Sequence, residues 1–180
     1  MSEYFKSGRY GDVKFTKSKP GYDWNYSNIG VSLAAYIIEL RSGMYFSRFT
    51  NTYIFRPLAL EDTYWTASAS DSLLHTSYYE PSGDSIINVY TRDVVLYSSG
   101  DMITNITDLT TYCQAVMSKK SRLLQLNSFD IILTPKLNRA VTNLEDDNNG
   151  IFFMIDRNNY GINYQLTGMD GGDNFIKSMM

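Results

Sequence analysis

The strongest constraint on this chain is a long apolar run with a polar gate in front of it. Tyr26-Ser27-Asn28 leads at once into Ile29-Gly30-Val31-Ser32-Leu33-Ala34-Ala35-Tyr36-Ile37-Ile38-Glu39-Leu40. Ile29, Leu33, Ile37 and Leu40 recur at spacings of four, four and three, and Ala34 and Ile38 widen the stripe. That is the period of an amphipathic helix. Ser27 or Asn28 is placed to cap its first turn, and Gly43 is its expected stop. Upstream, Pro20-Gly21 marks a turn, and Tyr22-Asp23-Trp24-Asn25 reads as a short extended piece. Side chains two residues apart in an extended segment point the same way. Tyr26 and Asn28 therefore present a phenol and an amide side by side at the helix entrance.

A second helix is expected over residues 45–55, with Phe46, Phe49 and Tyr53 on its buried face and Pro57 ending it. The two helices form an αα pair joined by Ser42-Gly43-Met44. Residues 66–96 are rich in Ser, Asp, Tyr and Gly, with Pro81-Ser82-Gly83-Asp84 as a turn and a short strand at 86–90. They read as a mostly irregular excursion of the kind that carries substrate contacts. Thr104 is expected to cap a helix whose stripe is Ile106, Leu109, Cys113 and Val116, and a further helix fits 121–133, closed by Thr134-Pro135. The remainder reads as strands at 151–155, at 162–166 and from 175 onward. Turns separate them at Asp156-Arg157-Asn158-Asn159 and at Gly168-Met169-Asp170-Gly171-Gly172-Asp173. Helices first and antiparallel strands last predict an α+β fold. At 180 residues, 43 % apolar and 19 % charged, the chain suits a single globular domain.

Several function classes are disfavoured. A net charge of -3 argues against a nucleic-acid partner. The N-terminal Lys6, Arg9, Lys14, Lys17 and Lys19, interleaved with Tyr4, Phe5, Tyr10 and Phe15, read as a solvated loop or edge strand. No run approaches the ~18 apolar residues of a membrane span, and the first residues hold no apolar stretch of signal-peptide type. Cys113 is the single cysteine, and on a helical stripe it reads as an inert core thiol. Glu145-Asp146-Asp147-Asn148-Asn149-Gly150 followed by Asp156 fits a calcium loop only superficially, because Glu stands first and the flanks look like strand. Gly171-Gly172 has neither Rossmann spacing nor a P-loop lysine. His75 is the only histidine, so a three-histidine zinc site is excluded and a Ser-His-Asp triad would rest on it alone. No metal and no cofactor is expected.

Four pieces in order carry a resemblance. Residues 15–28, with Pro20-Gly21, Trp24 and Tyr26-Ser27-Asn28, resemble the second motif of the serine β-lactamase and penicillin-binding-protein family. The branch is the class C-like one, with D-alanyl-D-alanine carboxypeptidases and related esterases. Phe55-Arg56-Pro57-Leu58-Ala59-Leu60-Glu61-Asp62-Thr63 is similar to the family's Pro-Leu-Gly-Met-x-Asp-Thr segment. Ser98-Ser99-Gly100-Asp101-Met102, with Thr104, Asp108 and Leu109, continues the match, and Gly168-Met169-Asp170-Gly171-Gly172-Asp173 looks like the family's last motif, at a strand entrance. The resemblance implies acyl transfer to amide or ester substrates through a serine ester, with a Ser-x-x-Lys pair as nucleophile and base. It implies Tyr26 as proton relay, Asn28 as the amide that grips substrate, and Gly171 as a flank of the oxyanion strand.

Two departures qualify this. No Ser-x-x-Lys occurs in the 180 residues, and the nearest pattern is Thr16-x-x-Lys19. The basic residue of the last motif is also replaced: Met169 stands there in the preferred register, Leu166 in the other. The expectation is one incomplete β-lactamase-related domain over residues 1–180, an internal piece of a divergent member, inactive alone. A complementing chain or an oligomer would cover its open edges and apolar faces. The alternatives are a non-catalytic pseudo-enzyme used for binding or scaffolding, and a complete small α+β domain whose likeness is accidental.

Overall fold

The computed structural model describes residues 1–7, 17, 19, 25–65, 76–89, 95–119, 122–136, 148–156, 166–173 and 176–179. After a short helix α1 (Ser2–Lys6), the element that organises the rest is α2 (Asn28–Ser42). Ser27 caps it, its hydroxyl accepting from the Gly30 N–H at 3.0 Å. Gly43 closes it in the left-handed conformation at φ 69, its N–H returning to the Glu39 carbonyl at 2.9 Å. Both ends fall where the capping residues put them.

The buried face of α2 is not the expected one. Leu33, Ile37 and Leu40 are 44 %, 51 % and 62 % exposed, whereas Ser32, Ala35 and Tyr36 are buried. The helix turns Ser32 and Ala35 inward, with Tyr36 stacked on Phe5, because its neighbours come close: the 3-10 turn Tyr97–Ser99 and the helix α3 (Phe46–Thr50) pack on it. Small residues permit such an approach, and bulky ones on the same line would hold the elements apart.

α3 starts without a cap of its own. Two other elements supply it: the Glu39 carboxylate accepts from the Phe46 N–H at 2.9 Å, and the Tyr97 phenol accepts from the Ser47 N–H at 3.1 Å. The helix then widens into a π-type segment, Asn51–Phe55, and tightens into a 3-10 turn, Arg56–Leu58. Pro57 therefore does not end it; proline fits the first positions of a new turn, and the chain leaves at Ala59 in the left-handed conformation. Thr50 and Phe55 are the buried residues here, while Tyr53 is exposed. Phe46, Trp65 and Tyr97 form an aromatic cluster with centroids 5.4 to 6.4 Å apart, and the Trp65 indole donates to the Thr50 hydroxyl at 2.7 Å.

β1 (Tyr64–Trp65) pairs antiparallel with β4 (Met102–Ile103). Between them lies a hairpin, β2 (Tyr78–Ser82) and β3 (Ser85–Val89), tied at Gly83-Asp84. Part of the expected irregular excursion is thus regular, with Pro81 opposite Ile86 in the ladder. α4 (Ile106–Ser118) is capped by Asn105, one residue later than expected, because the Asn105 amide oxygen is the group that reaches the Asp108 N–H at 2.8 Å. Ile106 is exposed, and Leu109, Cys113 and Val116 are half-buried. α5 (Leu126–Leu133) begins later than residue 121.

The C-terminal strands are short. β5 (Asn148–Asn149), β6 (Met154–Asp156) and β7 (Leu166–Gly168) make one antiparallel sheet, and β8 (Asp170–Asp173) pairs with β9 (Ile176–Met179). Residues 168–173 are therefore not a turn: Gly171 and Gly172 lie within a strand, opposite Ser178 and Lys177. The strand expected at 151–155 begins only at Met154, because the Gly150 N–H turns back to the Phe153 carbonyl at 2.8 Å. The architecture is α+β with small antiparallel sheets. No helix among the described residues is long and apolar enough to cross a membrane.

Candidate active site

The Ser27 cap places its two neighbours. Tyr26 precedes the first turn of α2 and Asn28 opens it, both at the surface, with Tyr26 59 % exposed. The phenol points away from the core. Around the mouth of α2, the first-turn N–H groups not bonded within the helix leave partial positive charge.

Beneath the mouth, Ser32 is 0 % exposed. Its hydroxyl lies 3.4 Å from the Leu96 carbonyl, to which it donates, and the Ser98 hydroxyl donates to Ser32 at 3.3 Å. Ser98 is itself buried and belongs to the Ser98-Ser99-Gly100-Asp101 turn. The turn is held further by the Ser99 N–H and hydroxyl, both donating to Leu96 O at 3.0 and 2.8 Å.

A second polar joint fastens the neighbouring segment. Asp108, buried on α4, accepts from the Asp62 N–H at 2.9 Å and from the Thr63 hydroxyl at 2.8 Å. Thr63 and Thr104 share a hydrogen bond at 2.9 Å, and the Asn105 amide donates to Asp62 Oδ2 at 2.6 Å. A buried carboxylate with two donors is a strong local clamp. It draws Glu61-Asp62-Thr63 against the start of α4, so two segments far apart in sequence become neighbours.

Gly171 is exposed in β8. No hydrogen bond or ring contact among the described residues ties Tyr26 or Asn28 to it. Pro20-Gly21, Trp24, Thr16, His75 and the acidic run 145–147 lie outside the described residues. Among the described residues, no group of three or more His, Cys, Asp or Glu is arranged to hold a metal ion. Burial raises the Cys113 thiol above its ordinary value, which disfavours the thiolate a nucleophile needs. Ser32 carried a faint signal in the sequence, a hydroxyl four residues after Asn28 inside an apolar run. Its pairing with Ser98 carried none, since the two are 66 residues apart.

Comparison with known proteins gives the family and the fold. A family model described as beta-lactamase matches residues 14–177. The chain belongs to that family. It is 25 % identical over 125 residues to the putative penicillin-binding protein PbpX of Bacillus subtilis (strain 168), covering 69 % of this chain and 31 % of that protein. The octameric penicillin-binding protein homologue from Pyrococcus abyssi superposes with a TM-score of 0.69 at 18 % identity, over 86 % of this chain and 34 % of that one. A D-stereospecific amidohydrolase from Streptomyces sp. gives a TM-score of 0.69 at 24 % identity, over 87 % of this chain and 45 % of its own. The penicillin-binding protein from Bacillus halodurans gives 0.68 at 21 %, over 86 % and 46 %. The fold is the one these proteins share, and the chain spans about a third of the curated relative it matches. By descent it is a β-lactamase-like chain.

Proposed function

We propose that these 180 residues supply the Tyr-x-Asn side of an acyl-transfer site for amide or ester substrates and do not themselves form the serine ester. In the reaction, a hydroxyl oxygen attacks the substrate carbonyl, gives up its proton, and expels an amine or alcohol; water then releases the acyl group. Tyr26 relays the proton and Asn28 holds the substrate amide, with the Gly171 stretch of β8 beside the oxyanion. The observation that carries the reading is the pairing of an exposed Tyr26 and Asn28 at a capped helix mouth with a sequence holding no Ser-x-x-Lys. An activated serine is what a fluorophosphonate probe labels. The chain alone is expected to stay unlabelled and to leave a chromogenic cephalosporin intact, and stoichiometric phosphonylation of a serine overturns the reading.

A second reading is favoured by Met169, which stands where the family's basic residue is expected. It makes the chain a non-catalytic binding or scaffold module that keeps the fold for recognition. Adding back an in-frame Ser-x-x-Lys segment separates the two: hydrolysis restored supports the first, binding without hydrolysis the second. Both readings allow a complementing chain or an oligomer. The uncovered Leu33, Ile37 and Leu40 support that, as does the octameric state of the Pyrococcus relative.

A further inference from the structure

Ser32 lies four residues after Asn28 on α2, outside the motif residues named above. Successive residues of an α-helix are rotated by roughly 100°, so Asn28, Ser32, Ala35 and Glu39 fall on one line along α2, opposite Leu33, Ile37 and Leu40. That line is the packed one. Ser32 and Ala35 are buried on it, and Glu39 reaches the Phe46 N–H from its far end. Asn28 is the solvent-facing head of the same line. The helix is therefore pinned in rotation near its mouth by one buried polar contact, the Ser32 hydroxyl against Ser98 and the Leu96 carbonyl at 3.3 and 3.4 Å.

Neither hydroxyl has water to fall back on, with Ser32 at 0 % and Ser98 at 8 % exposed. The contacts are long for hydroxyls, but alternatives inside the packed face are costly, because an unmatched buried hydroxyl loses its hydration without return. Rotating α2 by even part of one residue step would separate the two oxygens and swing the Asn28 amide about the helix axis. Tyr36, stacked on Phe5 with ring centroids 5.2 Å apart, packs the flank of this line, and the Ser32–Ser98 contact is the polar one on it.

We infer that Ser32 and Ser98 form a positioning pair that sets the rotation of α2 and thereby the direction of the Asn28 amide. The inference rests on the proposed role of Asn28 and adds residues that the role did not include. A packing-only pair and a positioning pair make different predictions when both hydroxyls are removed.

The test uses Ser32→Ala, Ser98→Ala, the double variant and Ser32→Cys in the full chain. Thermal unfolding is measured beside a benzylpenicillin titration that follows the Asn28 side-chain amide resonance. Each single alanine variant lowers Tm and weakens binding, because it removes the Ser98–Ser32 hydrogen bond, while Ser32 keeps the Leu96 carbonyl and Ser98 keeps the Met1 sulfur. The double variant loses little further Tm, since the bond is already gone in either single variant and the Leu96 carbonyl keeps both Ser99 donors. Its affinity nevertheless stays about tenfold weaker, as displaced binding groups do, and the Asn28 shift shrinks. Ser32→Cys, small and still a donor, keeps most of the wild-type response. A double variant that binds like wild type with an undiminished Asn28 shift overturns the inference and leaves the proposed function standing. A wild-type chain showing no benzylpenicillin-induced change at Tyr26 or Asn28 overturns both.

Discussion

Ala59 sits at φ 54, in a region where an L side chain crowds the following carbonyl. It occupies the place of the glycine in the family's Pro-Leu-Gly-Met segment, and the backbone explains that glycine. The chain must leave the 3-10 turn Arg56–Leu58 through a left-handed residue to bring Leu60 into the core, where Leu60 is buried and its N–H reaches the Phe55 carbonyl at 2.9 Å. Ala59→Gly is expected to stabilise the protein by roughly 0.5–1 kcal/mol, the relieved strain exceeding the added chain entropy. Urea unfolding reads it, with the midpoint moving up at unchanged slope. An unaltered or lower midpoint would mean that Ala59 is not strained.

Among the elements, the end of α5 and the sheet that follows are joined through backbone groups. The Ile151 N–H donates to the Ile132 carbonyl at 2.9 Å, the Lys136 N–H to Asn149 O at 2.7 Å, and a Cβ built on Gly150 would stand 2.1 Å from that Ile132 oxygen. Backbone on both sides leaves nothing flexible to move. Gly150→Ala is expected to cost about 2 kcal/mol or more, seen as a lower Tm and faster amide exchange at Ile151 and Lys136. The ends of α2 were legible in the sequence because Ser27 and Gly43 act locally. So were the αα pair and the existence of α4, whose caps lie within three residues. The buried face of α2 was not legible, since hydrophobicity favoured Leu33, Ile37 and Leu40 while close approach of the 97–99 turn selected Ser32 and Ala35. The borrowed caps of α3 and the continuation past Pro57 were hidden for the same reason: Glu39 and Tyr97 act across the fold. The Tyr26 and Asn28 pair was visible as a motif, but the Ser32 and Asp108 anchors required partners 66 and 46 residues away.

For the whole molecule, three half-buried acids among the described residues contribute to the response to alkali. Burial raises Tyr97, with the Glu39 carboxylate adding and the Ser47 N–H opposing; burial and then Cys113 raise Tyr112; burial raises Cys113. Each holds its proton to higher pH when folded than when unfolded. Their contribution to stability is thus complete below the unfolded values, about 8.5 for Cys and about 10 for Tyr. It is lost as pH rises through the folded values. Tm measured from pH 7 to 11 is expected to be flat and then fall above about pH 9. Tyr97→Phe should lower the neutral Tm through the lost Ser47 contact while making the alkaline fall shallower; an equally steep fall would remove Tyr97 from the account.

At the same scale, the fold is that of penicillin-binding proteins and amidohydrolases, while the chain spans 34–46 % of the solved relatives named above. Tyr26 and Asn28 stand at the entrance of α2, and no Ser-x-x-Lys occurs in these 180 residues. Intact-mass measurement of the chain incubated with benzylpenicillin addresses this most directly. The predicted spectrum shows the unmodified mass alone at every time point, and a stoichiometric penicilloyl adduct on this chain would contradict the account.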